Sequence, residues 1–354
     1  MLSFPMTYSR KPIKGRGAGD NPENRFIGLY VENEAEFQSC PKSTFLTDYS
    51  KTVLTKNDSP DIGFDYSLNP YRGCEHGCIY CYARPTHEYL GYSAGFDFES
   101  KILVKKDAPQ LLRKQLSHPK WIPQPIILSG VTDPYQPVER KLEITRQCLQ
   151  VLAEFRNPVS IITKNYLVTR DIDILADMAK DQTVKVHLSV TSLQPDLLRV
   201  MEPRTSSSVR RLEAIRKLTD AGIPTGVMVA PVIPALTDHE IPAILQAASE
   251  AGALSAGYVM LRLPFAVKPL FEEWLESHFP DRKAKIINRI KDLRGGKLYD
   301  SNFGSRMRGE GQFADQVNQI FKLTCKKNGM NKSQPPLSTS SFRNPESRQL
   351  SLFS

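Results

Sequence analysis

From about Asp65 onward, short apolar runs rich in β-branched residues alternate with stretches in which apolar residues return every three or four positions. The runs lie at 125–129, 159–163, 184–190, 226–229 and 258–263, with a first one just before Asn69. Continuous apolar character bounded by turn residues predicts strands buried on both faces. The stretches 139–155, 168–179, 206–221 and 238–251 read as amphipathic helices. Ala221-Gly222-Ile223-Pro224 stops one of these helices and feeds the next strand. This alternation predicts an α/β fold with a parallel sheet covered by helices. Six such units predict a partial (β/α)6 barrel, with an open doubly wound sheet as the alternative. In both, polar residues at the C-terminal ends of the strands line the site. The expected division is an irregular N-terminal arm over 1–50, the barrel over 51–265 and a C-terminal helical extension over 266–329. A polar tail over 330–354 is expected to be disordered.

The composition, 40% apolar and 24% charged over 354 residues, is that of a soluble globular protein. No apolar run approaches the roughly 18 residues of a membrane-spanning helix. The first residues carry Arg10, Lys11, Lys14 and Arg16 without an apolar core or cleavage site, so a cytoplasmic location among reduced thiols is expected. The formal charge of +9 is uneven. Between Arg282 and Arg308 nine Lys or Arg face only Asp292 and Asp300, with Tyr299 and Phe303 among them. Basic side chains interleaved with aromatics suit DNA or RNA. A solvated helix followed by a loop is the other reading of the same charges.

Three of the six cysteines fall within eight residues, in Gly73-Cys74-Glu75-His76-Gly77-Cys78-Ile79-Tyr80-Cys81-Tyr82. An odd number of close thiols in a reducing compartment points to a soft-metal site rather than to a disulfide. Zinc, with His76, His87 or another cysteine as fourth ligand, is one reading. An iron–sulfur cluster with one open iron is the other.

Cys74-x3-Cys78-x-Tyr80-Cys81 after a first strand resembles the signature of the radical S-adenosylmethionine (SAM) enzymes. The resemblance covers most of 61–264 and implies a 4Fe–4S cluster on Cys74, Cys78 and Cys81. Its open iron would chelate S-adenosylmethionine, and reduction through the cluster would release a 5′-deoxyadenosyl radical that takes a hydrogen atom from the substrate. It further implies Tyr80 near the adenine, and Thr132, Asp133, Lys164 and Ser189 as residues holding S-adenosylmethionine. A reductant such as flavodoxin or ferredoxin is the implied electron donor. Glu202-Pro203-Arg204-Thr205 and Arg262-Leu263-Pro264 are similar to the group containing spore photoproduct lyase, which undoes a thymine dimer in DNA. Lys14-Gly15-Arg16-Gly17-Ala18-Gly19 and the segment from Phe303 to Gly311 resemble an uncharacterised bacterial subgroup of it. In one respect the chain departs from that group. Where spore photoproduct lyase carries a hydrogen-donating cysteine after its second strand, this chain has Gly130 and Val131. Cys148 reads as part of a buried helix face, and Cys325 and Cys40 offer no clearer replacement. Tyr135 is a candidate radical relay or a packing residue. Nucleic acid is the expected substrate class for repair or modification. A protein, a small molecule, or a zinc-stabilised adaptor without catalysis are the competing readings.

The chain closes on Gln349-Leu350-Ser351-Leu352-Phe353, an apolar cluster at the end of a polar tail. It resembles the short motif by which bacterial replication and repair proteins bind the DNA polymerase sliding clamp, and so implies that clamp as a partner.

Overall fold

The computed structural model describes residues 13–26, 42–332 and 335–346. In chain order the strands are β1 (Thr44–Thr47), β2 (Leu54–Lys56), β3 (Tyr66–Leu68), β4 (Tyr71–Arg72), β5 (Lys101–Val104), β6 (Ile126–Leu128), β7 (Val159–Thr163), β8 (Val184–Ser189), β9 (Thr225–Val232) and β10 (Ser255–Met260). Each predicted run forms a strand. Val159, Ile161, Val186, Leu188, Val227 and Val229 are almost entirely buried, the environment that apolar and mostly β-branched side chains on a covered sheet require. The last run begins three residues earlier than expected, at Ser255, and its expected end continues as the loop that carries Arg262.

Seven strands form one sheet in the order β10-β9-β8-β7-β6-β3-β2. The six from β3 to β10 pair in parallel, and β2 adds an antiparallel edge against β3. Consecutive strands are neighbours, without the reversal of order that defines a doubly wound sheet. This sequential order overturns the open-sheet alternative and leaves the partial (β/α)6 barrel. The connecting helices are α1 (Phe96–Ser100), α2 (Ala108–Leu116), α3 (Glu139–Leu142), α4 (Ile144–Phe155), α5 (Ile172–Lys180), α6 (Pro195–Met201), α7 (Ser208–Asp220) and α8 (Ile241–Glu250). The expected extension follows as α9 (Val267–His278), α10 (Pro280–Asp292) and α11 (Gln312–Lys327). Val267, Phe271 and Trp274 of α9 share an apolar cluster with Met201 and with Ile79 and Tyr80, so this extension braces the cysteine loop from behind. Among the described residues no helix is long and apolar enough to cross a membrane.

Within the irregular arm, β1 pairs with β5 in a second sheet of order β1-β5-β4, and the described residues 13–26 pack against the loop after β3. The tail expected to be disordered from 330 is held on the barrel over 335–346. There Ser338 N–H donates to Gln182 O at 2.8 Å and Arg343 N–H to Phe155 O at 2.9 Å, while the Phe342 ring lies 6.2 Å from that of Phe155. One aromatic anchor supplies the burial that the polar average of the tail conceals. Gln349 through Phe353 lie outside the described residues.

Candidate active site

The loop after β3 and β4 turns on Gly73 (φ +77°) and Gly77 (φ +66°), both in the left-handed region that favours glycine. Its backbone is fixed from several sides. Cys74 N–H donates to Phe98 O at 2.9 Å, Ile79 N–H to Met201 O at 3.1 Å, and Arg84 Nε to Cys78 O at 3.0 Å. The N-terminal segment closes over it, with Gly17 N–H and Ala18 N–H donating to the buried Glu99 carboxylate at 3.0 and 2.8 Å. Glu99 is also paired with Arg84. A Cβ at Gly17 would stand 1.8 Å from the Gly77 carbonyl oxygen, which accounts for glycine in that position of the arm.

Cys74, Cys78 and Cys81 are free thiols at one end of a cavity of about 520 Å³. Burial pushes the Cys78 thiol well up, with the Glu202 charge adding and Lys164 opposing. Cys81 is raised first by burial and then by Cys74. Thiols that resist ionising together fit a cationic group that would neutralise them on binding. Of the two histidines considered as zinc ligands, His76 is engaged through both ring nitrogens, whereas His87 is engaged through Nε2 alone and its buried Nδ1 has no partner. His76 lies 3.4 Å through Nδ1 from Asp133 and 3.2 Å through Nε2 from the Asn165 amide, and His87 Nε2 is 2.9 Å from Lys101 O. Among the described residues no three His, Cys, Asp or Glu side chains stand close enough to hold one metal ion.

The same cavity is lined by Tyr80, Thr132, Asp133, Lys164 and Ser189, so the five residues that the resemblance implied for S-adenosylmethionine meet around it. Their states differ. Asp133 accepts from Thr163 Oγ1 at 2.6 Å, Lys164 N–H at 2.8 Å and Tyr135 N–H at 2.9 Å, and faces His76. Burial would raise its pKa, but His76 and these hydrogen bonds hold it at about 2. Burial pulls His76 down, yet Asp133 and Cys74 together push it up to about 10. Asp133 is therefore an internal brace for β7 and the cysteine loop, with its oxygens already occupied. Thr132 leans on Asn69 Oδ1 and Tyr71 O at 3.5 and 3.4 Å. Tyr80 bonds the buried Glu202, whose partner is Arg211. The Ser189 carbonyl takes Arg211 Nη1 at 2.9 Å. Lys164 Nζ stands 5.9 Å above the Tyr80 ring and forms no salt bridge among the described residues.

Several cavity residues were not assigned to the site from the sequence: Tyr82, Tyr258, Arg262 and Met307. Tyr82 hydroxyl donates to the Gly130 carbonyl. Val131, which with Gly130 stands where spore photoproduct lyase carries its cysteine, packs against the cluster of Cys74, Ala83 and Phe98. Cys148 is wholly buried in α4 and Cys325 is buried in α11, with burial pushing the latter thiol up to about 11. Cys40 lies outside the described residues. The relay reading of Tyr135 fails, because its hydroxyl is buried on Asp171 at 3.1 Å, away from the cavity lining. The basic segment is also less open than its charge implies. Lys283 pairs with Glu276, Arg289 with Asp292 and Arg306 with Asp61, while Arg294 is spent on Ser305 O and Leu261 O. Of its nine basic residues, only Arg308 lines the cavity.

A sequence model of the radical SAM superfamily matches residues 68–248. An uncharacterized protein of Mycobacterium tuberculosis (strain ATCC 25618 / H37Rv) is 35% identical over 253 residues, 71% of this chain and 73% of its own length. Spore photoproduct lyase of Bacillus subtilis (strain 168) is 25% identical over 215 residues, 59% of this chain and 57% of that protein. The structure of a cysteine-to-serine mutant of spore photoproduct lyase superposes with a TM-score of 0.58 at 19% identity, covering 87% of this chain and 86% of that one. A spore photoproduct lyase complexed with dinucleoside spore photoproduct gives a TM-score of 0.55 at 18% identity over 81% and 80% of the two chains.

Proposed function

The chain belongs to the radical SAM superfamily, and from that membership we propose a 4Fe–4S cluster on Cys74, Cys78 and Cys81, S-adenosylmethionine beside it, and nucleic acid as the substrate. When bound, the cluster and S-adenosylmethionine supply a 5′-deoxyadenosyl radical able to take a hydrogen atom from the substrate. The chain's own residues bind, orient and exclude. Lys164, with no carboxylate partner of its own, pairs with the carboxylate of S-adenosylmethionine. Thr132 and Ser189 offer hydroxyls to its carboxylate or ribose, and Tyr80, fixed through Glu202, packs beside the adenine. Asp133 acts through Lys164 and His76, holding both in register. The segment 13–26 covers the loop from behind and keeps water from the thiols. The observation that carries this reading is a set of three unbridged, mostly buried thiols opening on one cavity at the C-terminal ends of the strands.

Nucleic acid is favoured by the likeness to spore photoproduct lyase and by the arginines and tyrosines on the remaining cavity wall. Dimer reversal with hydrogen return from a thiol is not the proposed reaction, since Val131 has no hydrogen to give as a thiol does. A flavodoxin- or ferredoxin-like protein serves as reductant. Anaerobic reconstitution with iron and sulfide, followed by reduction in the presence of S-adenosylmethionine, should give about four irons per chain and 5′-deoxyadenosine. Zinc without iron, or a cluster that never yields 5′-deoxyadenosine, would overturn the reading.

We further propose that Gln349 through Phe353 recruit the enzyme to the DNA polymerase sliding clamp. Two leucines and a phenylalanine supply roughly 1.5–3 kcal/mol each on burial, less the cost of ordering a chain end. The motif begins three residues beyond Glu346, which pairs with Arg113 on α2. Deleting 349–353 should abolish clamp binding in a pull-down while iron content stays at the wild-type level. Retained binding would rule the motif out.

A further inference from the structure

Besides His76, which faces Asp133, two acidic side chains and three Lys or Arg line the cavity, and their partners are unequal. Asp133 is used up as described. Asp61 takes Gly304 N–H at 2.6 Å and the guanidinium of Arg306. Lys164 faces the cysteines, where its charge acts on Cys78 and Cys81. Arg262 and Arg308 remain, and neither forms a salt bridge among the described residues. Arg262 Nε is buried with no hydrogen-bond partner, and its Nη1 meets only the Met307 thioether at 3.6 Å, a weak acceptor. The Arg262 guanidinium lies 5.0 Å from the Tyr82 ring centroid, and that of Arg308 lies 3.9 Å from the Tyr258 ring centroid. Asp61 is within electrostatic reach of Arg262, but its oxygens are spent on Gly304 and Arg306.

For Arg262, a guanidinium nitrogen drawn out of water without a counter-charge is costly unless an anion arrives to pair with it, while Arg308 is exposed and held over the Tyr258 ring. The loop that presents Arg308 is correspondingly fixed. Met260 N–H donates to Met307 O at 2.9 Å at the end of β10, and Arg294 clamps Ser305 O and Leu261 O at 3.0 and 2.9 Å. On the far side Gly304 and Arg306 are tied to Asp61 and Ser59. Arg262 stands two residues beyond β10 on the same wall. Two forked donors held in this way match a tetrahedral oxyanion better than a single ammonium would.

We propose that Arg262 and Arg308 form an anion seat in the cavity wall that takes a phosphodiester of the substrate strand and so fixes which nucleotide faces the reacting end of the cavity. The inference rests on the nucleic-acid reading and deepens it. The seat is formed by the segments after β10 rather than by the basic surface of α10. It therefore calls for a strand that enters the barrel mouth, as a single strand or an extruded nucleotide does, rather than a duplex lying on the outside.

The test uses the anaerobically purified holoenzyme and two probes, inorganic phosphate by calorimetry and a labelled single-stranded oligonucleotide by anisotropy. In R262Q/R308Q, phosphate binding should be lost and oligonucleotide affinity should fall at least about tenfold. The slope of log affinity against log salt should become shallower by about 1, as expected for lost phosphate contacts to a single strand. R262K/R308K keeps the charge and should retain phosphate binding within about tenfold, separating lost binding from lost folding. Unchanged binding of both probes in R262Q/R308Q would overturn the seat. Phosphate binding that depends on the arginines, in an enzyme that binds no oligonucleotide, would overturn the assignment to a nucleic-acid strand. That outcome would count against the nucleic-acid function while leaving the anion seat in place.

Discussion

Replacing any one of Cys74, Cys78 or Cys81 with alanine should strip the chain of its iron and lower 5′-deoxyadenosine formation by about a thousandfold or more, equivalent to at least about 4 kcal/mol of barrier. The effect is expected to be this large because the cofactors carry the chemistry and the protein holds them by these thiols. Among the described residues no reserve thiol is at hand. Cys148 is buried in α4 on the barrel's outer layer and Cys325 in α11, and neither lines the cavity. The loop itself should survive the substitution, since Gly73, Gly77 and the hydrogen bonds to Phe98 O and Met201 O do not involve the sulfurs. Cys148→Ala is the control and should keep full iron and product formation, with some loss of stability from the space left in the core. Iron and sulfide analysis, visible absorption and product assay decide the matter together. A Cys78→Ala chain with wild-type iron and turnover would remove the cluster assignment.

The barrel was legible because its signal is local. Val159 to Thr163 and Val184 to Ser189 read as strands from β-branched content alone, and the sequential order follows from six units connected by helices of ordinary length. The cysteine loop was legible for the same reason, its three thiols lying within eight residues. What could not be read are pairings between distant residues. Glu99 with Gly17 and Ala18, Asp61 with Arg306, and Tyr80 with Glu202 span 81 to 245 positions, and nothing local marks either partner. The hold on 335–346 could not be read because a mean composition hides single anchors such as Phe342. Among the nine basic residues between Arg282 and Arg308, sequence does not tell a solvated arginine from one spent on carbonyls, as Arg294 is. Asp133 shows the converse. Its position at the site was readable, but the four donors that occupy it were not.

Arg211→Met should destabilise the holoenzyme by about 3–5 kcal/mol, the cost typical of stripping one partner from a buried ion pair. Both side chains of the Glu202–Arg211 pair are fully buried. Arg211 also donates to Ser189 O at 2.9 Å, Ser206 O at 2.7 Å and Thr205 Oγ1 at 2.6 Å, tying the end of β8 to the loop before α7. Glu202 accepts from Thr191 Oγ1 at 2.8 Å and from the Tyr80 hydroxyl. Removing the guanidinium leaves a carboxylate with no counter-charge in the core and frees three acceptors at once. The double variant Glu202→Gln/Arg211→Met removes the stranded charge and should recover part of the loss, which a double-mutant cycle reads directly. The functional consequence separates this pair from ordinary core packing. Because Glu202 fixes Tyr80 and the Ser189 carbonyl is held by Arg211, the KM for S-adenosylmethionine should rise more in Arg211→Met than the iron content falls. Denaturant unfolding under anaerobic conditions gives the first quantity, and iron analysis with S-adenosylmethionine titration gives the others. A loss below about 1 kcal/mol, the range of an exposed pair, would mean that the pair is solvated in the working enzyme and does not brace the cofactor side of the cavity.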